Sequence, residues 1–189
     1  MFIDYVGLML INMAIGLVTL AWCVYRSADA PAERGWAAAF FAVSIPALAC
    51  GFHMIFTWPL PGSYNTAYGE LSVLLGTLFL AAGISTSAGW SLRPLFPYAF
   101  LSGAVAAEVG VKIIAMGLTQ SPLLSGFGFV ATGLGGMLLP VAALSRNRAW
   151  RALAAMSLAA GAAVWLYTGL LAYWGHLESF VKWVPPSMR

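Results

Sequence analysis

Long apolar runs make up most of the chain, and short polar or turn-forming stretches interrupt them at nearly regular intervals. A bilayer core about 30 Å thick is crossed by about 20 apolar residues in a helix. Segments 2–25, 36–58, 67–88, 95–118, 122–144 and 150–174 each meet that length. The breaks between them carry the residues that end helices. RSADAPAERG is the one ordinary hydrophilic loop, PLPGSYNTAYGE is rich in proline and glycine, and GWSLRP combines both with an arginine. The pattern predicts an all-α integral membrane bundle of six transmembrane helices, one domain spanning residues 1–189. Residues 175–189 mix aromatic and charged positions and predict a short interfacial helix.

Composition supports the lipid reading. Of 189 residues, 61% are hydrophobic and 8% charged, against about a quarter charged in a soluble domain. The net charge of +3 is small and scattered, which argues against a nucleic-acid partner. It informs orientation instead. Arg26, Arg34, Arg93, Arg146 and Arg148 fall in the loops after helices one, three and five, with Arg151 just inside helix six. The other face holds only Lys182 and Arg189, so both termini are expected outside and the arginines in the cytoplasm of the cell (inner) membrane. The start, MFIDYVGLML, has Asp4 in place of a basic region and reads as a retained first helix, not a removed signal.

Small residues at four-residue spacing let helix backbones approach. Ser102, Ala106 and Gly110 form such a stripe on helix four, and Gly128, Thr132 and Gly136 on helix five. These helices are expected to pack on each other or on another subunit, by self-association or with a different chain. Pro46 is expected to kink helix two. Cys23 and Cys50 lie in apolar runs without metal spacing and read as packing residues.

Ionisable groups inside a membrane are costly and mark functional candidates. Glu108 and Lys112 stand one helical turn apart, so an intramembrane ion pair is expected. His53, Glu70, His176, Asp4 and Glu178 gather toward the outer boundary, which predicts a polar pocket rimmed by Tyr64, Tyr68, Trp58, Tyr173 and Trp174. His53, His176 and Glu70 are of the types that ligate a transition metal, and two histidines at similar depth can ligate haem axially. The rigid loop Trp58–Asn65 reads as a lid or a simple connector. No GxSxG or HExxH stretch signals hydrolysis.

The stretches GFHMIFTWPLPGSYNTAYGE, LTQSPLLSGFGFVATGLGG and AYWGHLESF resemble a family of small multi-pass membrane proteins of bacteria and archaea classed as a domain of unknown function. The resemblance runs along nearly the whole chain. It implies a membrane location and a compact helical fold, and it brings no activity. Three readings of function then stand side by side. The favoured one is an accessory or ligand- or cofactor-binding subunit of a larger membrane complex, bioenergetic ones included, which leans away from an enzyme without excluding one. The second is a metal- or haem-dependent enzyme using His53, His176 and Glu70. The third is a small transporter or proton pathway around Glu108 and Lys112, opposed by the apolar cytoplasmic half. A quinone or lipid in the outer pocket remains open beside a metal.

Overall fold

Each apolar run becomes a helix because the backbone has no water to bond inside lipid and must satisfy itself within the segment. In a computed structural model, residues 5–26, 34–145 and 147–184 are described. Asp4, Arg146 and Arg189 lie outside them. The helices are α1 (Val6–Arg26), α2 (Trp36–Thr57), α3 (Leu71–Ala88), α4 (Phe96–Met116), α5 (Pro122–Leu144) and α6 (Arg148–Ser179). A π-helical turn, Asn65–Glu70, leads into α3, and a 3-10 turn, Arg93–Leu95, leads into α4. Among the described residues there is no strand, and these six spans are each long and apolar enough to cross a membrane. The protein is a multi-pass membrane protein.

Helix ends follow local chemistry. Gly89 and Gly117 take φ of +73° and +62° after α3 and α4, a conformation glycine adopts without steric cost. Behind each, paired backbone bonds close the last turn: Trp90 to Ser85 and Gly89 to Thr86, then Leu118 to Ile113 and Gly117 to Ile114. Asn147 caps α6 by accepting from the Ala149 amide at 2.9 Å. The residues after 174 depart from expectation. No separate interfacial helix starts at Gly175; α6 runs on to Ser179, because Gly175 lies mid-turn with the i–4 ladder unbroken.

The helices alternate in direction. One face of the bundle carries the start of α1, the end of α6 and the 58–64 and 117–121 loops, and the other carries Arg26, Arg34, Arg93 and Arg148. These are called the terminal face and the arginine face. Around the bundle, α4 packs on α5, α5 on α6, α6 on α1, and α2 on α3. The α1–α2 contact is thinner. It is held by Asn12, buried, which donates to the Val43 carbonyl at 2.9 Å, near Pro46. Although α3 and α4 are joined by a short loop, they scarcely touch.

The tightest contact is backbone on backbone. A Cβ built on Gly133 would stand 2.4 Å from the Gly103 carbonyl oxygen, and one on Gly110 2.6 Å from that of Gly126. On its other side α5 meets α6 through Gly128 and Gly135, where Cβ atoms would stand 2.8 Å from Val164 and 2.5 Å from Leu158. The expected α4–α5 packing is therefore present, with shifted residues. Gly110 and Gly136 belong to the α4–α5 contact, but Gly128 and Thr132 face α6, and Ser102 and Ala106 face a cleft. A four-residue stripe drifts about 40° per step round a helix, so one stripe cannot serve one partner over its length.

Gly133→Leu should force α4 and α5 apart and destabilise the bundle by about 1–3 kcal/mol or more, read as a lowered unfolding temperature in detergent. Gly175→Ala, where a Cβ meets nothing within 4 Å, should leave it unchanged.

Candidate functional site

The gap between α3 and α4 opens into a narrow apolar cleft. Leu71 and Leu78 of α3, Ser102 and Ala106 of α4, Leu139 of α5 and Leu20 of α1 line it. Its free volume is about 60 Å³, and it is narrow and apolar along its length.

Aromatic rings close the cleft toward the terminal face. Tyr64 and Tyr68 stack with centroids 6.4 Å apart, Tyr68 meets Phe129 at 5.5 Å, and Phe129 meets Trp165 edge-on at 4.7 Å. Trp165 donates its indole N–H to the Thr132 hydroxyl at 3.0 Å, and that hydroxyl donates to the Gly128 carbonyl at 2.8 Å. The row ties the start of α3 through α5 to α6, and each buried polar tip in Trp165 and Thr132 is satisfied.

Asn65 organises the loop above this row. It is fully buried, accepts from the Leu60 amide at 3.1 Å, and donates to the Leu60 and Gly62 carbonyls. Trp58 and Gly62 adopt left-handed φ of +46° and +55°, which folds the Pro-Leu-Pro-Gly stretch back on itself. Tyr64 then donates its hydroxyl to the Leu118 carbonyl across the cleft's end. That bond links the α2–α3 loop to the turn after α4. Sequence reading named Asn65 only as the last residue of a rigid loop and not as its organiser, because its burial depends on the chain returning over it.

The remaining candidates are spread over the terminal face. His53 is half-buried and meets Tyr5 edge-on at 5.2 Å, while Thr57 donates to the His53 carbonyl at 2.7 Å. Tyr5 is buried, and its hydroxyl has no hydrogen-bond partner. His176 packs its ring on Phe180 at 5.6 Å, beside a surface cavity of about 440 Å³ lined also by Gly7, Leu8 and Tyr173. Glu70 is exposed at the head of α3, and Glu178 is exposed near the end of α6. Of His53, Glu70, His176, Tyr64 and Tyr68, only His176 lines that cavity and none lines the cleft. Among the described residues no three His, Cys, Asp or Glu side chains gather closely enough to hold a metal ion. The histidines and Glu70 therefore do not meet as one ligand set. Cys23 and Cys50 are free and half-buried.

Glu108 and Lys112 are both exposed, and no ion pair joins them. With 100° per residue, Glu108 lies about 200° round α4 from buried Ala106, pointing away from the core. On the arginine face, Arg26 lies over the Trp22 ring at 5.3 Å, and Arg148 lies over Tyr25 and donates to its hydroxyl at 3.2 Å. Arg151 is different. It is 6% exposed, and its Nε and one terminal nitrogen are buried without a partner. Its seven-residue spacing from buried Leu158 is the signal that could have placed it on the inward stripe.

A family model described as protein of unknown function (DUF981) matches residues 1–179. No curated protein and no solved structure matches the chain.

Asn65→Ala should cost about 1–3 kcal/mol, because the Leu60 amide and two carbonyls lose their buried partner. Amide hydrogen exchange should rise at residues 58–64 and stay unchanged in α6; equal exchange in both proteins would show that the loop is held by something else.

Proposed function

The chain belongs to that family, which brings it no activity, and from the outward face of α4 we propose that it is an accessory or ligand-binding subunit of a larger membrane assembly. The observation that carries the reading is Glu108. It stands eight residues before the end of α4, about 12 Å along the helix, on the side facing away from the bundle. Acidic side chains at such depth cost about 2.5–3.5 kcal/mol on insertion scales and almost always face protein or water. Lys112 is nearer the terminal face and can extend its amine to the headgroups along its apolar stem. Glu108 has no such reach.

A neighbouring chain seated on α4 relieves that cost. Leu101, Val105 and Val111 are exposed on the same helix and supply apolar area around the two charges. In a two-fold arrangement about the membrane normal, Glu108 of one copy lies within a turn of Lys112 of its partner, so the pair is satisfied reciprocally. A different subunit with a basic or hydrogen-bonding helix serves equally. The metal or haem reading draws no support from three ligand residues that form no cluster. The proton-path reading draws none from a carboxylate on the bundle's outside.

The arginine face is proposed to lie in the cytoplasm, on the bias of Arg26, Arg34, Arg93 and Arg148. In a background lacking Cys23 and Cys50, Ser63→Cys should react with an impermeant thiol reagent from outside and Ser91→Cys should not.

Photo-crosslinking from position 105 or 111 in native membranes should capture a second chain, and Glu108→Ala should weaken that complex about tenfold in mild detergent. A monomer in native nanodiscs, with no crosslink from α4, would sink the assembly reading.

A further inference from the structure

Arg151 is a permanent cation that no acidic side chain pairs among the described residues. It is buried on the first turn of α6, its Nε and one terminal nitrogen are closed off without acceptors, and Ala154, Leu158, Ala162 and Trp165 continue the same inward stripe. A lone buried charge is among the most expensive features a fold can hold, so its retention points to a ligand that supplies the opposite charge.

Its position relative to the cleft identifies that ligand. Contacts between α5 and α6 fix the register: Gly135 meets Leu158, and Ser157 donates to the Ala131 carbonyl at 2.8 Å. Extending that register puts Arg151 level with Ala142, one turn beyond Leu139 at the arginine-face end of the cleft. Along α6, Leu158 lines the cleft and Arg151 follows about 10 Å nearer the arginine face. A column thus runs from the cleft's apolar walls to the buried guanidinium, which lies beyond the residues that line the cleft. The free amides at the start of α6 add positive potential at the same level. Arg26, Arg34, Arg93 and Arg148 are exposed on the same face.

The column's open side is the α3–α4 gap, where the two helices scarcely touch. An occupant therefore enters sideways from the bilayer, not from water. Its charged end must be anionic, suited to the planar fork of arginine, and its other end must be a slim flexible chain. A phospholipid with a net negative phosphodiester headgroup has that chemistry.

We propose that Arg151 and the α3–α4 cleft form a binding site for an anionic phospholipid from the leaflet on the arginine face. The phosphate approaches the guanidinium of Arg151, whose Nε and one terminal nitrogen lack acceptors among the described residues. One acyl chain lies along Leu78, Ser102 and Ala106, parting α3 from α4 where packing is loosest. This site is independent of the assembly face on α4 and stands or falls separately from it.

Native mass spectrometry of the intact protein in mild detergent tests it, with phosphatidylglycerol and phosphatidylethanolamine of matched chains at equal concentration. The wild type should retain phosphatidylglycerol preferentially, and Arg151→Met should lower that preference about tenfold, the value of a charge-assisted bond. Ser102→Phe fills the cleft wall without touching the charge and should lower retention of phosphatidylglycerol while the unfolding temperature holds. No preference in the wild type overturns the site, even if Arg151→Met does not fold. An unchanged preference in Arg151→Met overturns the role of the guanidinium, and unchanged retention in Ser102→Phe overturns the cleft. Inorganic phosphate that stabilises the wild type as much as phosphatidylglycerol does would mark a soluble-anion site and overturn the lipid.

Discussion

The direct contact of α4 and α5 through glycine backbones is the constraint from which the rest of the bundle follows. In lipid there is little hydrophobic gain in bringing two helices together, so association rests on van der Waals contact and the close approach that small residues permit. Gly103 and Gly110 on one helix meet Gly126 and Gly133 on the other. The opposite side of α5 is small as well, at Gly128 and Gly135, and there α6 docks. Helix α5 is thus a thin wedge, and its thinness brings α4 and α6 near enough to share a cleft lining with α1 and α3.

Hydrogen bonds of long sequence separation then lock what glycine contact leaves loose. Asn12 holds α1 to α2, and Trp165 holds α6 to Thr132 of α5. Tyr64 spans from the α2–α3 loop to Leu118. Each sits where a buried polar group would otherwise go unpaired, so each fixes a relative position of two helices as well as adding stability. Among the described residues, the tie of this kind nearest α3 and α4 is that Tyr64 bond, at the terminal face. Toward the arginine face a short loop joins the pair, and Arg151 of α6 lies near that face without a hydrogen-bond partner for its Nε and one terminal nitrogen.

The spans were legible because the length of an apolar run is a direct measure of the bilayer, and helix ends were legible at Gly89 and Gly117 for their local φ requirement. The candidate site was less so. Membrane depth can be counted along each helix, and that count gathered His53, Glu70 and His176 at one boundary. Azimuth cannot be counted without knowing the neighbours. His53 turned to Tyr5, His176 to Phe180, and Glu70 to the exterior. Glu108 and Lys112 show the same division: their spacing was right for a shared face, and the face proved to be the outward one.

The sequence by itself determined that this protein lives in a membrane, how many times it crosses, and which face its arginines share. Those properties are sums over local residues and do not depend on which helix neighbours which. Tertiary structure alone decided that α3 and α4 stand apart, that Asn65 is enclosed by its own loop, and that Arg151 points inward while the other described loop arginines are exposed. Each of these depends on the rotation of one helix against another. In lipid that rotation is set by which small residues find each other, a pairing that no single segment carries.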